Sequence, residues 1–443
     1  MPRLTRRDLL IAMSVLPTRP AAAEPMTVGV VGAGIAGLAA ARKLSDAGRD
    51  VTVFEARDRI GGRVFTDRSF GFPIEIGANW IHGDRGNPLV ELGKTAGISV
   101  FPYDFDDWRI VREDGTLIAD AENSAMDNLS SAFADAFDKA AGKNYLGLAA
   151  DAALAVDARF AELAAANPDL AAALVGREIS GDYGAELYEL SAAADLFGDS
   201  FAGNDLIVAN GYDRVVSHLA KGLAIRMSEP VLRIRHRADH AEIVTGMTSA
   251  VFDAVIVTVP LGVLKRGRIR FSPALSDKRA QAIARLGFSA FEKAFLLVDK
   301  PFGFGARNVS VTGDNPWRNL IDLSSIAGKP AVLAYCGGDD ARNAAASGDE
   351  QNRDWMLTGI RAAANDASLQ ATGFRRSDWL NDPWAYGSYS FPANDSLPTD
   401  AATLFGREGK RLFFAGEACS PHASTVHGAL LSGMAAAELA LAD

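Results

Sequence analysis

A β-branched run, Thr27 to Val31, breaks at Gly32-Ala33-Gly34-Ile35-Ala36-Gly37 and gives way at once to Leu38 to Leu44, which reads as helix. Strand, glycine turn and helix in that order leave few folds open. Gly32 permits the tight turn, Gly34 lets backbone approach a pyrophosphate, and Gly37 lets the helix pack on the strand. Ile35 and Ala36 open the helix, whose free N–H groups and positive dipole end then face the phosphates. A second strand, Val51 to Phe54, ends on Glu55. That is close to the spacing of about 20 residues at which a carboxylate grips a ribose hydroxyl. An acidic residue there favours an unphosphorylated adenosine ribose. The predicted fold class is therefore α/β, built on a Rossmann-like dinucleotide-binding domain.

This turn alone does not separate a flavin from a nicotinamide. The next stretch, Glu55-Ala56-Arg57-Asp58-Arg59-Ile60-Gly61-Gly62-Arg63, adds cationic and backbone partners for a pyrophosphate. Its candidate contacts are Glu55, Ala56, Arg57, Gly62 and Arg63. Near the other end, Leu412-Phe413-Phe414-Ala415-Gly416-Glu417 reads as a buried strand entering a turn, and Gly428 to Leu439 as an Ala-rich helix. Two distant segments would thus close on one cofactor.

At 443 residues, with 48% hydrophobic and 23% charged residues, the chain suits two packed domains. Its net charge of -10 and the absence of any Lys/Arg run argue against a nucleic-acid partner. Cys336 and Cys419 show neither a CxxC pair nor metal-ligand spacing with the six histidines, so no metal site is expected. Thr5-Arg6-Arg7-Asp8-Leu9-Leu10, the apolar run to Leu16 and the small residues Ala21-Ala22-Ala23 resemble a twin-arginine export signal over residues 1–25. The expected partner is then the twin-arginine export machinery and the expected location periplasmic or exported. No later segment approaches the ~20 uninterrupted apolar residues of a spanning helix, so stable membrane insertion is not expected. The sequence assigns no oligomeric state.

Together with the Glu55–Arg63 loop, two longer stretches carry a family resemblance. Gly77-Ala78-Asn79-Trp80-Ile81-His82-Gly83 and Ser424-Thr425-Val426-His427-Gly428-Ala429-Leu430-Leu431-Ser432-Gly433 resemble the flavin-containing amine oxidases, in their polyamine oxidase, spermine oxidase and histone-lysine demethylase branch. The resemblance implies FAD as cofactor. Gly77, Ala78, Asn79, Trp80, Val231, Trp384, Gly416, Glu417, Thr425 and Val426 would join the contacts already named. Monoamine oxidases carry a flavin-bonded cysteine where Ser388 stands, so binding is expected to be non-covalent. By the same resemblance Lys293 reaches a water beside flavin N5, Tyr389 is the aromatic wall of an amine cage, and His82 lies near the bound amine. Thr425 stands where monoamine oxidases have a second cage tyrosine, which points to a polyamine such as spermine or spermidine. His427 reads as structural. Glu178, Asp182, Glu186, Glu189 and Asp195 are the carboxylates near enough in sequence to hold distant ammonium groups, with a charged helical face as their other reading.

The implied reaction is hydride transfer from the amine α-carbon to flavin N5, with imine hydrolysis to an aldehyde and reduction of O2 to hydrogen peroxide. The implied architecture is a two-domain α/β (α+β) fold. Residues 26–83, 205–288 and 385–443 would form the FAD-binding domain, and 84–204 and 289–384 a discontinuous substrate-binding domain of sheet plus helices. Ser130 to Ala141 and Asp151 to Ala166 read as amphipathic helices over the site. Two alternatives stay open. One is an L-amino-acid or other amine oxidase or dehydrogenase, which needs a pocket arginine that no residue here can be assigned to supply; the other is a non-catalytic flavin-bearing binding protein.

Overall fold

The computed structural model describes residues 26–142, 149–194 and 198–442. The leader reading of residues 1–25 and the carboxylate of Asp195 lie outside the described residues.

The Thr27–Val31 run forms the middle of a six-stranded sheet. Its order is Gly406–Glu408, Leu412–Phe414, Ala254–Val257, Thr27–Val31, Asp50–Phe54, Ala224–Arg226. All neighbours are parallel except Gly406–Glu408, which closes one edge antiparallel. Parallel strands are covered on both faces, so these segments are near-continuous apolar runs. Val28, Val30, Val53, Val255 and Ile256 are accordingly fully buried. The helix Ile35–Asp46 covers one face beside the C-terminal helix Val426–Leu441. A Cβ on Gly433 would come within 2.0 Å of the Ala36 carbonyl oxygen, so only glycine allows the two helices this approach. The opposite face carries a four-stranded sheet of Val231–His236, Ala241–Thr245, Ser249–Phe252 and Arg270–Ser272.

A second six-stranded sheet is ordered Ala371–Arg376, Phe291–Val298, Ala331–Gly337, Asn319–Asp322, Asn308–Val311, Trp108–Val111. The helix Asp349–Ala364 packs on it through Met356 and Ile360. A small sheet of Trp80–Ile81, Asp205–Val208 and Val100–Tyr103 joins chain from both expected domains.

The helical part departs from the expected boundaries. The helix expected from Ser130 runs Asp120–Gly142, and the one expected over Asp151 to Ala166 is two, Ala150–Ala155 and Ala158–Ala166. Asp157 causes the break: its carboxylate accepts from Phe160 N at 3.0 Å and starts a new helix, as an N-cap acid does. After Pro168–Val175 the chain widens into a π-helix, Gly176–Ser180, before a last turn at Gly181–Tyr183. Such widened turns recur at functional sites because they re-aim side chains. Among the described residues no helix is long and apolar enough to cross a membrane.

Candidate active site

Between the two large sheets lies a cavity of about 850 Å³. That is within the range of about 300–1,000 Å³ typical of ligand sites. The nucleotide motifs line one part of it, and Lys293, His82 and Tyr389 another.

At the nucleotide end the strand Thr27–Val31 delivers Gly32 at φ +106°, a conformation that favours glycine. Gly34, Ile35 and Ala36 follow on the cavity wall. Gly37 does not reach it. A Cβ there would sit 1.9 Å from the Gly32 carbonyl oxygen and 2.7 Å from Thr258 Oγ1, so Gly37 holds the turn closed from behind instead of touching a cofactor. Glu55 is buried, and its carboxylate accepts from Ala33 N at 2.7 Å and from Arg57 N at 2.9 Å. The Arg57 guanidinium is held by Asp382 at 2.8 Å, while Ala56 and Gly62 line the cavity. Val231, at the start of its strand, and Trp384, with Arg268 over its ring, also line this cavity.

The distant C-terminal segment meets this end through Glu417. Its carboxylate accepts from Arg63 at 2.9 Å, Ser390 Oγ at 2.5 Å and Ser424 N at 3.1 Å, tying three chain segments together. Gly416, Thr425 and Val426 continue the wall. The Thr425 hydroxyl is committed: it donates to the His422 carbonyl at 2.8 Å and accepts from Gly428 N at 2.9 Å as the helix N-cap. His427 is buried behind it, with Nδ1 at 3.3 Å from Asn87 Nδ2; burial, with His422 and His82 nearby, lowers its imidazole to about 4. That neutrality suits a structural role.

These surroundings fit a dinucleotide cofactor. A Cβ on Gly34 would meet only Gly61 O, at 4.0 Å, and one on Gly416 nothing within 4 Å, so both glycines border open volume. Asn79 Nδ2 and Trp80 Nε1, beside Gly77 and Ala78 on the same wall, are buried donors with no partner among the described residues.

At the other end Lys293 projects from the strand Phe291–Val298. Its backbone N–H is tied to Ser377 Oγ at 2.8 Å, and its Nζ donates to the Glu75 carbonyl oxygen at 2.6 Å. The rings of Trp80 and Phe295 lie 5.4 and 5.8 Å from Nζ. Burial pushes the Lys293 amine well below the usual lysine range, and the nearby Glu75 carboxylate pushes it back up. A lysine so placed exchanges a proton far more readily than one in water.

Across the cavity Tyr389 packs on Phe291, with centroids 5.5 Å apart, and Phe291 stacks on Tyr335 at 5.8 Å. Burial pushes both phenols well above their ordinary values and keeps them neutral. His82 stacks on Phe105 at 6.0 Å, and its Nδ1 lies 3.3 Å from Asp205 on the neighbouring strand. Burial raises the Asp205 carboxyl, but the His82 hydrogen bond, the His82 charge and the Gly83 N–H together outweigh it and hold the group below the usual range.

Sequence reasoning missed most of this aromatic wall and the arginine within it. The widened helix brings Arg177, Glu178 and Asp182 to the cavity. Arg177 lies over Trp108 and is held by Glu178, its Nε 2.8 Å from the carboxylate. Asp182 is exposed, with its side chain on the open cavity. Desolvation by the protein around that cavity, reinforced by Glu178 and opposed by His82 and Arg177, raises its carboxyl to about 7. Glu186 and Glu189 point elsewhere: one accepts from Asp339 N at 2.8 Å and the other pairs with Arg342 at 2.5 Å. Cys336 and Cys419 are buried, unpaired and absent from the cavity wall.

The chain is similar to known proteins. The family described as flavin containing amine oxidoreductase matches residues 35–441. Polyamine oxidase 4 of Oryza sativa is 31% identical over 94% of this chain and 88% of its own length. Lysine-specific histone demethylase 1 homolog 1 of the same plant is 32% identical over 95% of this chain and 53% of its own. Among solved structures, a putrescine oxidase bound to putrescine superposes with a TM-score of 0.77 at 20% identity, covering 95% of this chain and 99% of its own. That structure shares the two-domain fold. With the family match spanning nearly the whole chain, the protein is a member of the flavin-containing amine oxidoreductases and its cofactor is a flavin.

Proposed function

We propose that this enzyme oxidises polyamines with non-covalently bound FAD, and that it works after export from the cytoplasm. The observation that carries the substrate class is Asp182, a carboxylate at the aromatic end of the cavity with Phe291, Tyr335 and Tyr389 lining the same wall. A long cation needs both elements: rings that pack on its methylenes and attract an ammonium, and an acid that holds a second ammonium. Polyamine oxidases among the relatives support the same class.

Glu55 would take the adenosine ribose, the N-terminus of the helix Ile35–Asp46 the pyrophosphate, and Val231 and Trp384 would complete the wall around the cofactor. Ser388 supports non-covalent binding: its hydroxyl donates to the Phe291 carbonyl at 2.5 Å, and both cysteines lie elsewhere. When bound, the flavin supplies the two-electron acceptor for the amine α-carbon.

What the chain contributes is placement and proton control. Polyamines arrive as ammonium ions, whereas oxidation at the α-carbon needs a free nitrogen lone pair. His82, held by Asp205, can accept an ammonium proton at Nε2. Lys293 holds or releases a proton at Nζ against the Glu75 carbonyl. Trp80, Tyr389 and Phe291 keep water from the reacting nitrogen.

Arg177 is the residue an amino-acid oxidase would need, but Glu178 neutralises it, which disfavours a substrate carboxylate. The test is peroxide and aldehyde formation from spermine, spermidine, putrescine, a monoamine and L-amino acids. Turnover of the polyamines is expected, and turnover confined to amino acids would refute the substrate class. Export is tested by the N-terminus of protein recovered from the periplasm: removal of residues 1–23 is expected, and an intact N-terminus confined to the cytoplasm would refute it.

A further inference from the structure

Residue 75 meets Lys293 twice. Its carbonyl oxygen accepts from Nζ at 2.6 Å, and its carboxylate lies close enough to act on the charge of the amine. Both side chains are 3% exposed, so water screens neither. The carboxylate does not bond to Nζ. It accepts from Thr66 Oγ1 at 2.7 Å and from Tyr212 N at 2.9 Å.

This arrangement is built into the sheet pairing. Thr66 and Glu75 face one another across a two-stranded ladder, so the hydroxyl reaches the carboxylate directly. Lys293 enters from the other side, on a strand whose backbone Ser377 holds with 2.8 Å bonds in both directions. Around Nζ the remaining close neighbours are the rings of Trp80 and Phe295. Around Glu75 the charged groups are Asp213 and Arg68, which neutralise each other at 2.6 Å, and the Tyr212 phenol, held neutral by burial. Burial raises the Glu75 carboxyl to about 7 against the opposing Thr66 and Tyr212 hydrogen bonds and the Lys293 charge, so it is charged above that pH, and it is the one carboxylate that acts on Lys293 among the described residues.

We propose that Glu75 is a positioning residue for Lys293: its carbonyl fixes where the amine sits, and its carboxylate supplies the negative charge that amine faces. This rests on Lys293 acting in flavin-dependent amine oxidation, where its protonation state matters. The sign follows from charge. Removing the carboxylate leaves a buried amine with burial alone acting on it, so Lys293 protonates only at lower pH.

The experiment is an NMR titration of isotope-labelled lysine in the flavin-loaded protein, with the Lys293 signal assigned by its loss in Lys293→Met. Glu75→Gln is expected to move the Lys293 inflection about one pH unit or more lower, the shift typical of losing a near opposite charge. Glu75→Asp, which keeps a carboxylate, is expected to lie nearer the parent. An unmoved inflection in Glu75→Gln overturns the proposal even where turnover falls. Should that variant fail to fold, Thr66→Val strips one hydrogen bond from the carboxylate, making it easier to protonate. Its Lys293 inflection must then also move down, and an unmoved one overturns the proposal. Failure of the oxidase reading is seen separately, as a parent protein whose flavin no amine reduces.

Discussion

Replacing Asp182 by asparagine keeps the side-chain shape and removes the charge. If Asp182 holds the distal ammonium, the loss is one charge-assisted hydrogen bond, worth about 1.5–3 kcal/mol. At about 1.4 kcal/mol per decade, the dissociation constant for a polyamine rises about 10- to 150-fold. A monoamine too short to reach Asp182 binds as before. The titration gives a second signature. The Asp182 carboxyl stands at about 7, so it is neutral below that pH and charged above it. Polyamine affinity in the parent enzyme therefore strengthens as pH rises through about 7, and Asp182→Asn flattens that step. Anaerobic stopped-flow mixing over a range of amine concentrations measures the dissociation constant apart from the limiting rate of flavin reduction. Equal weakening of monoamine and polyamine would refute the reasoning, as would a fall in limiting rate with the dissociation constant unchanged.

Glu55→Gln leaves one of Ala33 N and Arg57 N facing a neutral oxygen and the other an amide NH2, and removes the acid for a ribose, so flavin affinity should fall about tenfold or more by equilibrium dialysis. Gly37→Ala forces a methyl to within 1.9 Å of the Gly32 carbonyl oxygen, and the protein should be recovered without flavin or not folded, by absorbance of the purified material. Glu417→Ala strands Arg63, Ser390 and Ser424, which should cost about 3 kcal/mol and lower Tm measurably in calorimetry.

How legible the site was in the sequence depended on how local its causes are. Gly32, Gly34 and Glu55 are legible because a strand, a tight turn and a helix follow one another within a few residues, and each glycine answers a steric demand. Gly37 shows the limit of that reading: its steric role was legible, but its absence from the cavity wall was not. Lys293, His82 and Tyr389 carry no local signature and were visible only through resemblance. Glu178 and Asp182 were legible only as candidates by chain position and Arg177 was missed, because spacing rules built on an α-helix misplace the faces of the π-helix Gly176–Ser180. Glu178 and Asp182 could have been separated from Glu186 and Glu189 only by knowing that Arg342 and the Asp339 backbone claim the latter pair from across the fold. Phe105 lies in the loop just before the strand Trp108–Val111, whereas Tyr335 sits on the strand Ala331–Gly337 far along the chain, and only sheet pairing brings Tyr335 to the other two.

The most direct test of the central claim is anaerobic mixing of the purified yellow protein with spermine, spermidine, putrescine, a monoamine and several L-amino acids, following loss of the visible flavin band. Rapid bleaching by polyamines, with little from the others, is the predicted result. Bleaching by a monoamine or an amino acid in preference to every polyamine would contradict the proposed substrate, and no bleaching by any amine would contradict the proposed chemistry.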